Sequence, residues 1–125
     1  MTKRILIVED HEDNRRILRD LLTSAGFELI EAVTGTEGVA VAKAQRPDLI
    51  LMDIQLPEID GYEATRQIKA NSALRQIPII AVTSFALSGD DDRAYKAGCC
   101  AYVTKPFSPR QLLATIREHL AAVKA

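Results

Sequence analysis

The sequence predicts a single α/β domain built on a five-stranded parallel sheet, and three observations carry that prediction. Five short β-rich runs are nearly continuous in apolar residues rather than alternating, the pattern of strands covered on both faces. Stretches with helical spacing lie between them. No proline- or glycine-rich linker, internal repeat or low-complexity tract interrupts the alternation, so each strand–helix pair leads by a right-handed crossover to the next.

Taken in order, the first strand is Arg4–Val8 (RILIV). The first helix follows, with Ile17, Leu18, Leu21, Leu22 and Ala25 on one stripe and Arg15, Arg16, Arg19 and Asp20 mostly off it. Gly26 ends it, a residue suited to a left-handed cap. The second strand covers 27–32 and the second helix 36–45; the third strand covers 49–52 and the third helix 62–71. The fourth strand is placed at 77–82 and the fourth helix at Asp90–Ala97, with Asp90–Asp92 as its acidic, capping end. The fifth strand is 101–103. The last helix carries Leu112, Leu113, Ile116, Leu120 and Val123 on its stripe, behind a Ser108 cap with Pro109 in the first turn.

Composition narrows the function classes. The 125 residues hold sixteen Lys and Arg against seventeen Asp and Glu, a formal charge of −1, which argues against a nucleic-acid binder with a broad basic footprint. Hydrophobic residues at 47% and charged residues at 26% describe a globular protein rather than a disordered chain or coiled coil. The longest apolar runs are too short to span a bilayer, and the N-terminal run meets acids too soon for a signal peptide. Two adjacent cysteines, Cys99 and Cys100, cannot staple distant segments, so a reducing cytoplasm is expected. The chain stops just after the fifth helix, and one domain over 1–125 is expected.

In an open parallel sheet, ligands bind beyond the carboxyl ends of the strands. Glu9 and Asp10 follow the first strand, Asp53 the third, Thr83 and Ser84 the fourth, and Thr104 and Lys105 the fifth. Each has an ordinary use alone: Asp10 as a helix N-cap, Thr83 as a strand or turn residue, Lys105 as a solvated lysine. Asp53 is harder to set aside, because it is the first polar group after a wholly apolar run. If the first and third strands are neighbours, their ends lie about 5 Å apart. Three acids that close require either a retained proton or a bound cation. An oxygen-rich set favours Mg²⁺ before Zn²⁺. A carboxylate beside Mg²⁺, with a lysine and a threonine facing it, suits phosphoryl transfer, with Asp as a covalent acceptor.

These residues resemble the receiver domain of two-component response regulators over the whole chain. The matching pieces are ILIVED at 5–10, DLILMDIQLPEIDG at 48–61, IIAVTSFA at 79–86 and AYVTKPF at 101–107. The wording of QLPEIDG and of the later AVTSFALSGDDDRAYKAGC is most similar to stand-alone receivers of the DivK type. The resemblance implies a doubly wound (βα)5 fold, flavodoxin- and CheY-like, with strand order 2-1-3-4-5. It implies Asp53 as phosphoryl acceptor, Asp10 as a direct Mg²⁺ ligand, Glu9 acting largely through water, and the Gln55 carbonyl as a further ligand. It implies Thr83 as the hydroxyl that turns toward the phosphoryl group, Lys105 as the conjugate cation before a cis Lys105–Pro106 bond, and Tyr102 as the aromatic switch. At the two positions that set phosphoryl lifetime stand Gln55 and Phe85; Phe85 offers no group to position water, so slow self-dephosphorylation is expected. The implied partners are a histidine kinase or phosphotransfer protein and a downstream protein docking on the α4–β5–α5 face, with homodimers through the last helices common in such proteins, although no large apolar patch is evident.

Competing readings are a phosphatase using Asp53 as nucleophile, for which Gln55 stands where a second acid belongs, and a regulator cut from a DNA-binding output domain. The remaining features have modest expected roles. Arg15, Arg16 and Arg19 either contact a kinase or form a solvated face. His11 is expected at the surface and His119 at a helix end. Cys99 and Cys100 are expected to face opposite sides of the sheet. Gly35 and Gly38 form no phosphate loop.

Overall fold

The computed structural model describes residues 2–84 and 90–122. Its elements are β1 (Arg4–Val8), α1 (Glu12–Ser24), β2 (Glu28–Ala32), α2 (Gly35–Gln45), β3 (Leu49–Asp53), α3 (Gly61–Ala70), β4 (Ile79–Thr83), α4 (Asp90–Ala97), β5 (Ala101–Thr104) and α5 (Pro109–Ala122). The strands form one parallel sheet in the order β2-β1-β3-β4-β5, as expected.

The period of two along each strand divides the core between the two faces of the sheet. Ile5, Ile7, Leu49, Leu51, Ile80 and Val82 pack with Leu18 and Leu22 of α1 and Leu112 and Ile116 of α5. Leu6, Val8, Ile50, Met52, Ile79 and Ala81 pack with α2, α3 and α4 through Ala42, Ala64, Ile68 and Ala94. Small residues let α2 lie close: a Cβ on Gly38 would meet Val8 Cγ2 at 2.9 Å.

The outer strands correct one expectation. All five runs were read as covered on both faces, yet only β3 and β4 are buried throughout. β2 and β5 each pair on a single side and keep partial exposure. Both strands still pack apolar residues on each face of the sheet, Leu29 and Val103 on one and Ile30 and Tyr102 on the other, but their unpaired side stays open, which the run of apolar letters does not reveal. The second strand also begins at Glu28 rather than residue 27. The fourth begins at Ile79, because Ile77 closes a turn on the Leu74 carbonyl and Pro78 follows.

Local chemistry sets the helix ends. Gly26, at φ 93°, follows α1 as expected. Thr34 Oγ1 accepts from Glu37 N at 3.0 Å and Asp60 Oδ1 from Glu63 N at 2.9 Å, capping α2 and α3. Ser108 Oγ accepts from Gln111 N at the start of α5. At α1 the N-cap is His11, not Asp10, and its side chain makes no capping bond, so Asp10 is left available for other use. The side chain of Asp90 lies outside the described residues, while Asp92 pairs with Lys96 along α4 at 3.0 Å. Cys99 packs on the α3–α4 side and Cys100 with the opposite cluster, as expected, although both precede β5, which begins at Ala101.

Candidate functional site

Among the described residues, the buried polar side chains are Glu9, Asp53, Thr65 and Thr83. Three of these four stand at the carboxyl ends of β1, β3 and β4. Placing polar groups there out of water is costly unless they are paired, so their coincidence at one edge marks the site.

Register explains why they meet. β1 and β3 run side by side with Val8 opposite Met52, so Glu9 and Asp53 each follow a paired apolar residue on adjacent strands. β4 carries Thr83 one residue beyond Val82, the partner of Asp53. Lys105 is drawn in by its backbone N–H, which donates to the Thr83 carbonyl at 2.7 Å, and its bond to Pro106 is cis, as the resemblance implied.

The Lys105 ammonium donates to Glu9 Oε1 at 2.7 Å and stands 3.7 Å from Asp53 Oδ2. It therefore serves the two acids unequally. Burial alone would raise the Glu9 carboxyl, but the hydrogen bond from Lys105, the backbone N–H of His11 and the ammonium charge together hold it below its ordinary value. Asp53 moves the other way: burial first, and the charge of Glu9 second, push it up to about 6, against the weaker pull of Lys105 and the Gln55 N–H. With no divalent cation, the crowding of acids anticipated from sequence is met by a proton held more tightly on Asp53.

Asp10 sits at the mouth of the pocket. Its Oδ1 is buried and lacks a hydrogen-bond partner among the described residues. Gln55 is exposed and its backbone N–H donates to Asp53 Oδ1 at 3.2 Å. Tyr102 lies one strand position behind Val103, half-buried against the α2–α3–α4 core. Phe85 lies outside the described residues. Glu9, Asp53, Thr83 and Lys105 are thus gathered at one edge, with Asp10 at the mouth and Tyr102 behind the sheet.

Three contributions were not read from sequence. Gly61 packs on the backbone at the end of β3, where a Cβ would overlap the Asp53 carbonyl oxygen and lie 2.7 Å from Ile54 Cα; the signal was the glycine closing QLPEIDG. Arg15 is not simply solvated: its Nη1 donates to the Glu9 carbonyl at 2.9 Å, and its Nε lies 3.4 Å from Glu31. Arg19 bonds the same Glu31 with Nε and Nη2, each at 2.8 Å, leaving Arg16 as the exposed member of the trio. Glu31 sits late in β2, so this pairing becomes visible only once β2 is placed beside β1. Third, α1 and the 106–109 stretch flank a groove of about 540 Å³ against Lys105, lined in part by Ile17, Leu18, Pro106 and Phe107.

Comparison with known proteins gives this geometry its context. A family model described as the response regulator receiver domain matches residues 5–117. The polar-differentiation response regulator DivK of Brucella ovis is 48% identical over 120 residues, covering 96% of this chain and 98% of that protein. The receiver domain of a sensor histidine kinase from Pseudomonas aeruginosa, solved with a magnesium ion coordinated in its active-site cleft, is 38% identical and superposes with a TM-score of 0.90 over 97% of this chain and 99% of that one. A CheY-like receiver domain protein from Methanospirillum hungatei is 34% identical, with a TM-score of 0.89 over 98% of this chain and 96% of its own. The sheet order, the acids gathered at its carboxyl edge and these matches agree: the chain belongs to the receiver domains of two-component response regulators.

Proposed function

We propose that this chain is a phosphorylation-switched interaction module, one receiver unit over its 125 residues, with Asp53 as phosphoryl acceptor. The carrying observation is the placement of Asp53: a buried carboxyl at a strand end, with Lys105 3.7 Å away and Thr83 at the next strand end. A donor phosphohistidine is the proposed phosphoryl source. An Asp53 oxygen attacks phosphorus as the bond to the imidazole nitrogen breaks, the electron pair leaving with the imidazole, and an aspartyl phosphate results. Lys105 stands where it offsets charge on a phosphoryl oxygen, and the Thr83 hydroxyl donates to another.

The side chains of Glu9, Asp10 and Asp53 and the Gln55 carbonyl are the groups that would hold Mg²⁺. The orphaned Asp10 Oδ1 and the raised Asp53 fit a cation at this place. When bound, Mg²⁺ supplies positive charge to the phosphoryl oxygens and favours the ionised acceptor.

Movement of Thr83 toward the phosphoryl group opens space that Tyr102 fills, which biases the α4–β5–α5 face between two arrangements and alters what docks there. The apolar groove beside Lys105 supports docking of the donor protein on the α1 side, close to the acceptor. The partners are a histidine kinase or phosphotransfer protein in the cytoplasm and a downstream protein, and the only chemistry catalysed is the chain's own phosphorylation and slow dephosphorylation. No described helix is long and apolar enough to cross a membrane.

Intact mass tests this reading after incubation with Mg²⁺ and either acetyl phosphate or a phosphorylated histidine phosphotransfer domain. One phosphoryl group is expected on the wild type and none on Asp53→Asn. Labelling that persists in Asp53→Asn, or wild type that takes none from either donor, overturns it.

A further inference from the structure

We infer that His11 contributes an imidazole nitrogen to the cation pocket, so that the site takes a divalent transition ion such as Ni²⁺ or Co²⁺ through one ligand more than it offers Mg²⁺. This rests on the reading of Glu9 and Asp10 as the cation-holding acids.

The geometry carries it. His11 Nδ1 lies 3.2 Å from Asp10 Oδ1 and 3.4 Å from Glu9 Oε2. One donor atom from each of the three residues fits within a sphere of mutual distances no greater than 4.8 Å. Two donors bound about 2.1 Å from one ion, at angles between octahedral and tetrahedral, lie about 3.0–3.4 Å apart. The two His11 separations fall in that interval. Asp10 Oδ1 is buried and takes part in no hydrogen bond among the described residues, so an ion bound there would meet an acceptor that no N–H or O–H already occupies.

His11 is held there by its backbone. Its N–H donates to Glu9 Oε2 at 3.1 Å and its carbonyl accepts from Arg15 N at 3.0 Å, as befits the N-cap of α1. Its ring makes no capping bond and is 72% exposed, so an ion arriving from solvent reaches Nδ1 directly. An ion bound here would take the Nδ1 lone pair and leave the ring proton on Nε2, which faces away from it. The chemistry of that donor decides the preference. Mg²⁺ binds oxygen and keeps its waters, gaining little from an imidazole, whereas Co²⁺ and Ni²⁺ gain strongly from nitrogen.

The test is calorimetric titration of wild type, His11→Asn and His119→Asn with Mg²⁺ and with Ni²⁺ separately. His11→Asn is expected to weaken Ni²⁺ binding about 10-fold while changing the Mg²⁺ Kd by less than about two-fold. His119→Asn is expected to change neither. Proton NMR of the two histidine rings supplies a second readout: Co²⁺ should shift the His11 ring signals strongly and leave those of His119 in place. Equal loss of Mg²⁺ and Ni²⁺ affinity in His11→Asn, or unshifted His11 ring signals with Co²⁺ bound, overturns the inference while leaving the acid pocket intact. A wild type that binds neither ion overturns the inference together with the pocket reading beneath it.

Discussion

Among the described residues, two lysines are held against the protein rather than out in solvent, and they are used differently. Lys69, on α3, donates to the carbonyl oxygens of Arg75 at 2.9 Å and Ile77 at 2.7 Å, and burial lowers its pKa. Its partners are neutral and already fixed by the turn before β4, so it closes that turn and its charge is simply tolerated. Lys105 faces two buried carboxylates and reaches one of them, leaving Asp53 pushed up to about 6. The lesson is that withdrawal from water does not by itself make a functional lysine. What distinguishes the strand-end lysine is an arrangement of charge left unbalanced, which a further cation or a phosphoryl group completes.

The sharpest way to break the contrast is to remove each ammonium in turn. Lys105→Met should slow phosphoryl uptake at least about 100-fold, as loss of a preorganised charge at a reacting group does. It should also tighten Mg²⁺ binding, since the competing cation on Glu9 is gone; uptake kinetics and calorimetry on one preparation check both, and weaker Mg²⁺ binding would contradict the account. Lys69→Met should leave uptake unchanged within about two-fold while lowering stability by about 1 kcal/mol through two lost hydrogen bonds, measured by urea denaturation.

A smaller effect sharpens the same comparison through pH. Asp53 has an ordinary value of 3.8 and about 6 when folded, so between those values the folded chain binds more protons than the unfolded one. The stability contributed by Asp53 therefore falls as pH rises through that window and is constant above it. In chelator, Asp53→Asn should melt a few degrees, about 5 °C, above the wild type at pH 7.5, with the gap closing as pH drops from 6 toward 4. A gap independent of pH would mean that something other than the carboxyl charge sets it.

Much of this was legible in the residues. The apolar runs located all five strands, and the polar residues after them named the acids, the threonine and the lysine that the fold gathers at one edge. The errors have physical causes. β2 and β5 read as fully buried because a string of apolar letters does not say how many neighbours a strand has. The pairing of Arg15 and Arg19 with Glu31 went unread because Glu31 is twelve or more residues away, on β2, and meets them only once that strand lies beside α1. The apolar groove beside Lys105 escaped notice because its walls come from α1 and from 106–109, nearly ninety residues later.

The sequence by itself determined the composition of the site, since which group follows each strand is a local property of the chain. Only the tertiary structure decided how those groups share charge. Lys105 lies 2.7 Å from Glu9 and 3.7 Å from Asp53, and that difference of one ångström, fixed by the register of β1, β3 and β4 and by the Lys105 N–H on the Thr83 carbonyl, leaves Glu9 the paired acid and Asp53 the protonatable one. Coulomb and solvation energies depend on distance and burial, and neither exists until the strands lie side by side.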